Sequence, residues 1–292
     1  MKIRNPYKNL PHWFRGNTHT HSTRSDGDSP LERVVDHYRE RGYSFLAMTD
    51  HELLLDLAEF AGADFVGIPA EEVTVRGRDH IVGLGLRDPV AGCNTHHQRV
   101  IDDIAGQGGL AVLAHPVFSG LSPEQAQGLH GYHAVEILNA VCQYLEYNGY
   151  ALQWWDELLR RGLQVWGIAA DDAHRIAWQA AKAWIMVNAE ALTPQHILAG
   201  IRTGNFYAST GANFHRFAVE GKTIRVWCDP AVEIRFQTGF PLGPALRLKG
   251  EALTEAAYTP RGGEIFVRVE IVDAQLQSAW SQPFFLDSDW RP

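Results

Sequence analysis

The hydrophobic pattern of the chain changes character once, near residue 213. Before that point short apolar runs alternate with amphipathic stretches. Residues 30–41 read as a helix: Pro30 suits the first turn, Leu31, Val34, Val35 and Tyr38 recur at helical spacing, and Gly42 stops it. A buried strand is expected at 43–49, with further strands at 81–86, 110–114, 164–170 and 183–187. A long helix ended by Gly162 is expected over 143–161, and another helix over 194–202. Strand–helix alternation of this kind predicts an α/β domain with a largely parallel sheet. After residue 213 the segments 223–227, 232–236 and 264–272 favour β-branched and aromatic residues. In the last, Ile265, Val267, Val269 and Ile271 alternate with more polar neighbours, the period of a half-buried strand. Glycine and proline at 239–244 and 260–263 mark turns, and no helix is expected there. The reading is therefore a larger domain over 1–213 and a small antiparallel β appendage over 214–292.

Composition narrows this picture little until histidine is counted. A chain of 292 residues with 45% hydrophobic and 21% charged residues has the usage of an ordinary globular protein. The net charge of −8 argues against binding long nucleic acids, which requires a basic face. Cys93, Cys142 and Cys228 form neither a C-x-x-C pair nor a disulfide framework. No apolar run reaches the ~18 residues of a membrane span, and no signal peptide is visible, so a cytoplasmic protein is expected. Of the 14 histidines, His215 alone lies beyond residue 213, so their chemistry belongs to the first segment.

Five motifs concentrate there. In His19-Thr20-His21 the two imidazoles share a face if the backbone is extended, and the turn through Ser25-Asp26-Gly27 brings Asp26 back towards them. The apolar run 46–48 ends in Thr49-Asp50-His51, which sets His51 at the edge where α/β folds build their sites. Glu71-Glu72 stands among apolar residues, where a buried carboxylate needs a partner or a metal. Either glutamate fits, with Glu72 favoured, and His80 opens the next run. The run 112–114 ends in His115-Pro116. Asp171-Asp172-Ala173-His174 follows another apolar run, with Asp172 and His174 two residues apart and Asp171 pointing the other way on an extended strand. Each motif alone has a bland reading as exposed histidines or helix caps. Together they deliver imidazoles and carboxylates without thiolate, a donor set suited to Zn, Mn or Fe. Nine candidates exceed the four of a closed structural site and imply two or three divalent ions. His12, His37, His130, His133 and His196 read as surface residues and His96-His97 as a helix start. Trp154, Trp155, Trp166, Trp178 and Trp184 read as packing.

The run His19-x-His21-Ser-x-x-Ser25-Asp26-Gly27, with Thr49-Asp50-His51, Glu72, His80, Ala114-His115-Pro116 and Asp172-x-His174, resembles the PHP (polymerase and histidinol phosphatase) superfamily over about residues 15–212. The resemblance implies a distorted (β/α)7 barrel with a trinuclear site. His19, His21, Glu72 and Asp172 would hold one ion. Glu72, His80 and His115 would hold a second, and Asp26, His51 and His174 a third. Glu72, Asp172 and His174 would then be the residues nearest the chemistry. The C-terminal strands resemble the appendage of a branch of PHP-like metallohydrolases that includes a carbaryl hydrolase.

The expected activity is hydrolysis of a small phosphomonoester or phosphodiester, nucleotides included, by a metal-bound hydroxide, with Arg24 and Arg175 clamping phosphoryl oxygens. Hydrolysis of a carbamate or carboxylic ester at the same ions is the second reading, and a non-catalytic metal-binding module the third. Arginines in the pocket would favour phosphate and apolar walls an aryl ester. No membrane partner is expected.

Overall fold

A computed structural model of the chain describes residues 2–92, 95–239 and 245–287. Cys93 and most of the turn expected at 239–244 lie outside the described residues. The elements are, in chain order, β1 (Lys2–Arg4), β2 (His12–Asn17), α1 (Leu31–Arg39), β3 (Phe45–Ala47), β4 (Val66–Ile68), β5 (Ala70–Arg76), β6 (Asp79–Leu84), α2 (His97–Gly106) and β7 (Leu110–Leu113). Then come α3 (Pro116–Ser119), α4 (Pro123–Gln127), β8 (Ala134–Asn139), α5 (Ala140–Glu146), α6 (Leu152–Arg160), β9 (Trp166–Ala170), α7 (Ile176–Gln179), β10 (Trp184–Ala189), α8 (Pro194–Thr203) and β11 (Phe206–Ser209). The C-terminal segment is all strand: β12 (Phe214–Glu220), β13 (Thr223–Thr238), β14 (Leu246–Tyr258), β15 (Phe266–Asp273), β16 (Ser278–Ser281) and β17 (Phe284–Asp287).

The fold is mixed α/β, and its strands form two sheets rather than a closed (β/α)7 ring among the described residues. One sheet runs β5-β6-β7-β8-β9; the other runs β1-β17-β15-β16-β11-β10-β2-β3-β4, with β12, β13 and β14 attached through β13. Isolated bridges, Thr20 to Ala173 and His51 to Glu72, connect the two at the site end. The largely parallel sheet expected from the strand–helix alternation is also only half right. The pairs β2/β3, β3/β4, β7/β8 and β8/β9 are parallel, but β5/β6, β6/β7, β10/β2 and β10/β11 are antiparallel. The reason lies in the connections. Between β5 and β6 there is room only for a hairpin turn, with Gly77 at φ 60°, and a parallel pair requires a crossover of a dozen or more residues.

The helix expected over 143–161 is two helices. Tyr147 adopts φ 58°, and a Cβ on Gly149 would collide with the Asn139 carbonyl oxygen, so the chain breaks there. Gln143 Oε1 accepts the Gly149 N–H and stabilises the break. Segments 223–227 and 232–236 are one strand, β13, interrupted by register shifts around Ala231. His37, expected at the surface, is buried on α1.

Strands β12–β17 are antiparallel, and they do not stand apart from the first segment. β16 pairs with β11, and β17 pairs with β1 at the N-terminus. Phe217, Ile224, Phe236, Val269 and Ile271 share an apolar core with Tyr7 and Tyr207 of the first segment, while Phe266, Trp280 and Phe285 pack into the core that holds Trp154 and Trp155. No helix of the described residues is long and apolar enough to cross a membrane.

Candidate metal centre

The predicted side chains meet where the two sheets are bridged. Backbone at 19–21 runs beside 171–173: the Asp172 N–H donates to the His19 carbonyl, and the His21 N–H donates to the Ala173 carbonyl. This lays His-x-His next to Asp-x-His. Glu72, on β5, lies at the middle of the group and is 1% exposed. Its Oε2 lies 3.1 Å from His19 Nε2, 3.2 Å from His21 Nε2 and 3.4 Å from His51 Nδ1. Its Oε1 lies 2.7 Å from His80 Nδ1 and 3.2 Å from His115 Nε2. Asp172 Oδ1 approaches His21 Nε2 at 3.1 Å and His19 Nε2 at 3.3 Å. At the open end Asp26 Oδ2 lies 3.2 Å from His174 Nε2 and 3.7 Å from His51 Nε2.

The strands present alternate residues to opposite faces, and this separates the two carboxylate pairs. Glu71 turns away from Glu72 and accepts the Val90 N–H. Asp171 accepts N–H groups of Ala181, Lys182 and Ala183 and the Tyr38 hydroxyl; burial nevertheless pushes its carboxyl up to about 6. Two of the clustered residues sit in the left-handed region, His115 at φ 28° and Asp172 at φ 54°. Such backbone costs of order 1–3 kcal/mol and persists where hydrogen bonds hold it. Here the His115 N–H donates to Glu136 and the Asp172 N–H to His19.

The donors suit divalent cations. Three sets each place one nitrogen or oxygen per residue within 4.8 Å of one another: His19, His21, Glu72 and Asp172; His51, Glu72 and His80; and His21, Asp26, His51 and His174. The first is the set the family resemblance implies for one ion. In the second, His51 stands with Glu72 and His80; His115 joins none of the three sets, although its Nε2 lies 3.2 Å from Glu72 and its ring centroid 5.1 Å from that of His80. One ring nitrogen in each of three histidines, His19 Nε2, His51 Nδ1 and His80 Nδ1, is buried and lacks hydrogen-bond geometry to any partner, although Glu72 oxygens lie within 3.4 Å of each. Lone pairs that close and not aimed at one another have an arrangement that could hold shared cations.

Electrostatics says the same. Burial alone would raise Glu72, yet His19, His115 and His21 hold it well below the usual carboxylate range. Burial would lower His21, but Asp172 and Glu72 raise it to about 9. A histidine ligand must be neutral, so below pH 9 an ion binding at His21 displaces a proton. Mn²⁺ added to metal-free protein in weak buffer at pH 7 should therefore release protons, and apparent affinity should rise with pH up to about 9. A pH-stat titration showing no release would contradict this arrangement.

Sequence reasoning missed the groups behind the cluster. Glu136, 1% exposed on β8, lies 2.7 Å from His19 Nδ1 and accepts the Asn139 side-chain N–H. Asn139 also donates to Asp172 Oδ2 at 3.0 Å. Asp50 accepts from the backbone and hydroxyls of Ser22 and Ser25, fixing the turn that carries Asp26. A carboxylate inside the apolar run 134–138 was the available signal for Glu136. Because it orients His19, Glu136→Gln should weaken metal affinity about 10–100-fold, measurable by competition with a fluorescent chelator; unchanged affinity would remove Glu136 from this role.

The cluster opens into a cavity of about 720 Å³ whose lining includes Asp26, His51, Glu72, His80, His115, Asp172 and His174. Arg175 lines it, as does Arg78, which was not anticipated; Arg24 is exposed and is not part of the lining. Trp178, expected as packing, lines the cavity too.

No protein-family model matches the chain, and no curated protein matches it in sequence. Its structure is similar, over 94% of its length and 95% of the other chain, to a two-domain protein containing a predicted PHP-like metal-dependent phosphoesterase from Bacteroides vulgatus ATCC 8482, with a TM-score of 0.55 and 16% identity. The chain shares its overall fold with that protein. The same comparison finds an amidohydrolase from Chromobacterium violaceum, with bound sulfate and no metal, at a TM-score of 0.40 and 21% identity over 56% of this chain and 89% of that one. It also finds the lesion-specific endonuclease PfuEndoQ from Pyrococcus furiosus, at 0.47 and 12% over 65% and 56%. The likeness to the Bacteroides protein extends through both parts of the chain. Nothing in these neighbours supports the carbaryl-hydrolase likeness expected of the C-terminal strands.

Proposed function

We propose that the chain is a metal-dependent phosphoester hydrolase acting on small molecules or nucleotides, with two or three divalent ions (Mn, Zn or Fe) at the cluster. The observation that carries this reading is Glu72, a buried carboxylate within 3.4 Å of five imidazoles at the floor of an open cavity. His19, His21, Glu72 and Asp172 would hold the innermost ion; His80 and His115, with Glu72, a second; and Asp26, His51 and His174 the outermost. Ions in such a site acidify a bound water and polarise the phosphoryl group. The chain supplies the rest. Glu136 and Asn139 hold His19 and Asp172 in place, Asp50 holds the turn of Asp26, and Arg78 and Arg175 at the rim offer guanidinium groups to non-bridging oxygens. The net charge of −8 disfavours long nucleic acids as substrates. The scattered cysteines fit a cytoplasmic setting.

The second reading, hydrolysis of a carbamate or carboxylic ester at the same ions, draws on the apolar residues Phe118, Val141 and Trp178 in the cavity wall. Elemental analysis, combined with assays on p-nitrophenyl phosphate, bis-p-nitrophenyl phosphate and p-nitrophenyl acetate, separates the two. Two to three ions per chain and phosphate release that is lost in Asp172→Ala are expected, with Arg175→Ala raising KM for the phosphate. Cleavage of the acetate alone would favour the second reading. Protein that binds no metal after incubation with Mn or Zn would sink both.

A further inference from the structure

One wall of the cavity differs from the polar floor. Helix α5 presents Val141 and Leu145, the short α7 presents Trp178, and Phe118 adds a further apolar face. A second cavity of about 330 Å³ adjoins it, shares Val141, Trp178 and Gln179, and adds Leu138 and Tyr144 to the lining. Leu145 is 59% exposed and Tyr144 68%, with the Tyr144 ring 4.9 Å from that of Trp178. A single exposed leucine carries no meaning, but contiguous apolar side chains lining a concavity beside a charged cluster do. The side-chain oxygens of the two glutamines in this trough, and Arg78 at its rim, are engaged. Gln179 Oε1 accepts the His174 and Arg175 N–H groups, Gln143 Oε1 accepts that of Gly149, and Arg78 lies 3.5 Å from Glu146. The faces of Leu138, Val141, Leu145 and Trp178 match an aromatic or alkyl group.

Resting on the phosphoester reading, we propose that this trough is the subsite for the alcohol portion of the substrate, and that the substrate class is phosphoesters of apolar, aromatic-bearing alcohols. The phosphoryl group would face the histidines and carboxylates, while the esterified group lies along α5 and α7. Hydrolysis adds water across the P–O bond and returns the free apolar alcohol and phosphate. Binding energy gathered in the trough, away from the reacting bond, would raise kcat/KM.

The test uses metal-loaded protein and two alkyl phosphates of similar leaving-group acidity, ethyl phosphate and 3-phenylpropyl phosphate. Their non-hydrolysable phosphonates, titrated calorimetrically, give a binding readout without turnover. The longer substrate should have a kcat/KM at least about tenfold higher, since each buried methylene contributes roughly fourfold. Its phosphonate should bind tighter by a similar ratio. Leu145→Gln and Trp178→Ala should both shrink the two ratios to below about threefold; Leu145 is exposed, so its replacement leaves the fold intact. Equal rates and affinities for the two compounds in the parent, or ratios unmoved in both variants, would overturn the subsite. If neither phosphate is cleaved but the variant-sensitive phosphonate preference is present, the phosphoester reading falls and the apolar subsite stands.

Discussion

Glu72→Gln should abolish metal loading at the inner positions and reduce phosphoester hydrolysis by roughly 10³-fold, a loss of several kcal/mol of charge stabilisation at the reacting centre. The substitution keeps the shape of the side chain and removes its charge. The five surrounding imidazoles then face a neutral amide, one half of which is an N–H₂ donor directed at ring nitrogens or at an ion. His19 and His21 would lose much of what holds their protonated forms, since Glu72 and Asp172 are what raise them. The informative partner is Glu71→Gln, which differs by one position in the sequence. Glu71 lies on the opposite face, and burial pushes its carboxyl up to about 7, so a neutral amide there resembles a form it already populates near neutral pH. Metal content and kcat/KM of Glu71→Gln should stay within about threefold of the parent. Metal counted per chain in both variants decides the matter, and metal loss in Glu71→Gln with retention in Glu72→Gln would reverse the assignment.

That the doublet could be narrowed but not closed from sequence shows where legibility ends. Period-two alternation says that neighbours on a strand face opposite ways; it does not say which face is the site. The same holds for Asp171 and Asp172, where the decision rests on the left-handed backbone at Asp172 and on three N–H groups from 181–183 that converge on Asp171. The strands were legible because their apolar runs are short and bounded, and the histidines because they stand at the ends of those runs. Sheet pairing was not. Local pattern carries no record of the Gly77 hairpin reversing β6 against β5, nor of the break at Tyr147 that gives α5 its own direction and turns Leu145 towards the cavity. Arg24 and Arg175 both stand within two residues of expected ligands in the sequence. Adjacency in the chain does not distinguish Arg175, which lines the cavity, from Arg24, which does not, and it passes over Arg78, which the hairpin brings in.

Asp156→Ala should destabilise the whole protein by about 3–5 kcal/mol, the cost of leaving a buried charge without its partner. Arg268, on β15, is 2% exposed. Its Nε donates to Asp156 Oδ1 at 2.6 Å and its Nη2 to Oδ2 at 2.7 Å, a two-pronged contact with helix α6. The guanidinium also lies 5.4 Å from the Trp155 ring, in the core that Phe266, Trp280 and Phe285 share with the first segment. Removing the carboxylate leaves the buried guanidinium without its ion-pair partner. Removing both charges is a different perturbation: Asp156→Ala combined with Arg268→Met substitutes an apolar chain for the buried cation and should recover most of the loss. Thermal unfolding checks both, with a drop of about 10 °C expected for the single variant, at 2–4 °C per kcal/mol for a large domain. The shape of the transition carries a second answer. Because β16 is hydrogen-bonded to β11 and β17 to β1, the C-terminal strands should melt with the site-bearing sheet in one step. A separate early transition in Asp156→Ala would mean that the strands after residue 213 fold as their own unit, held to the rest chiefly by this ion pair.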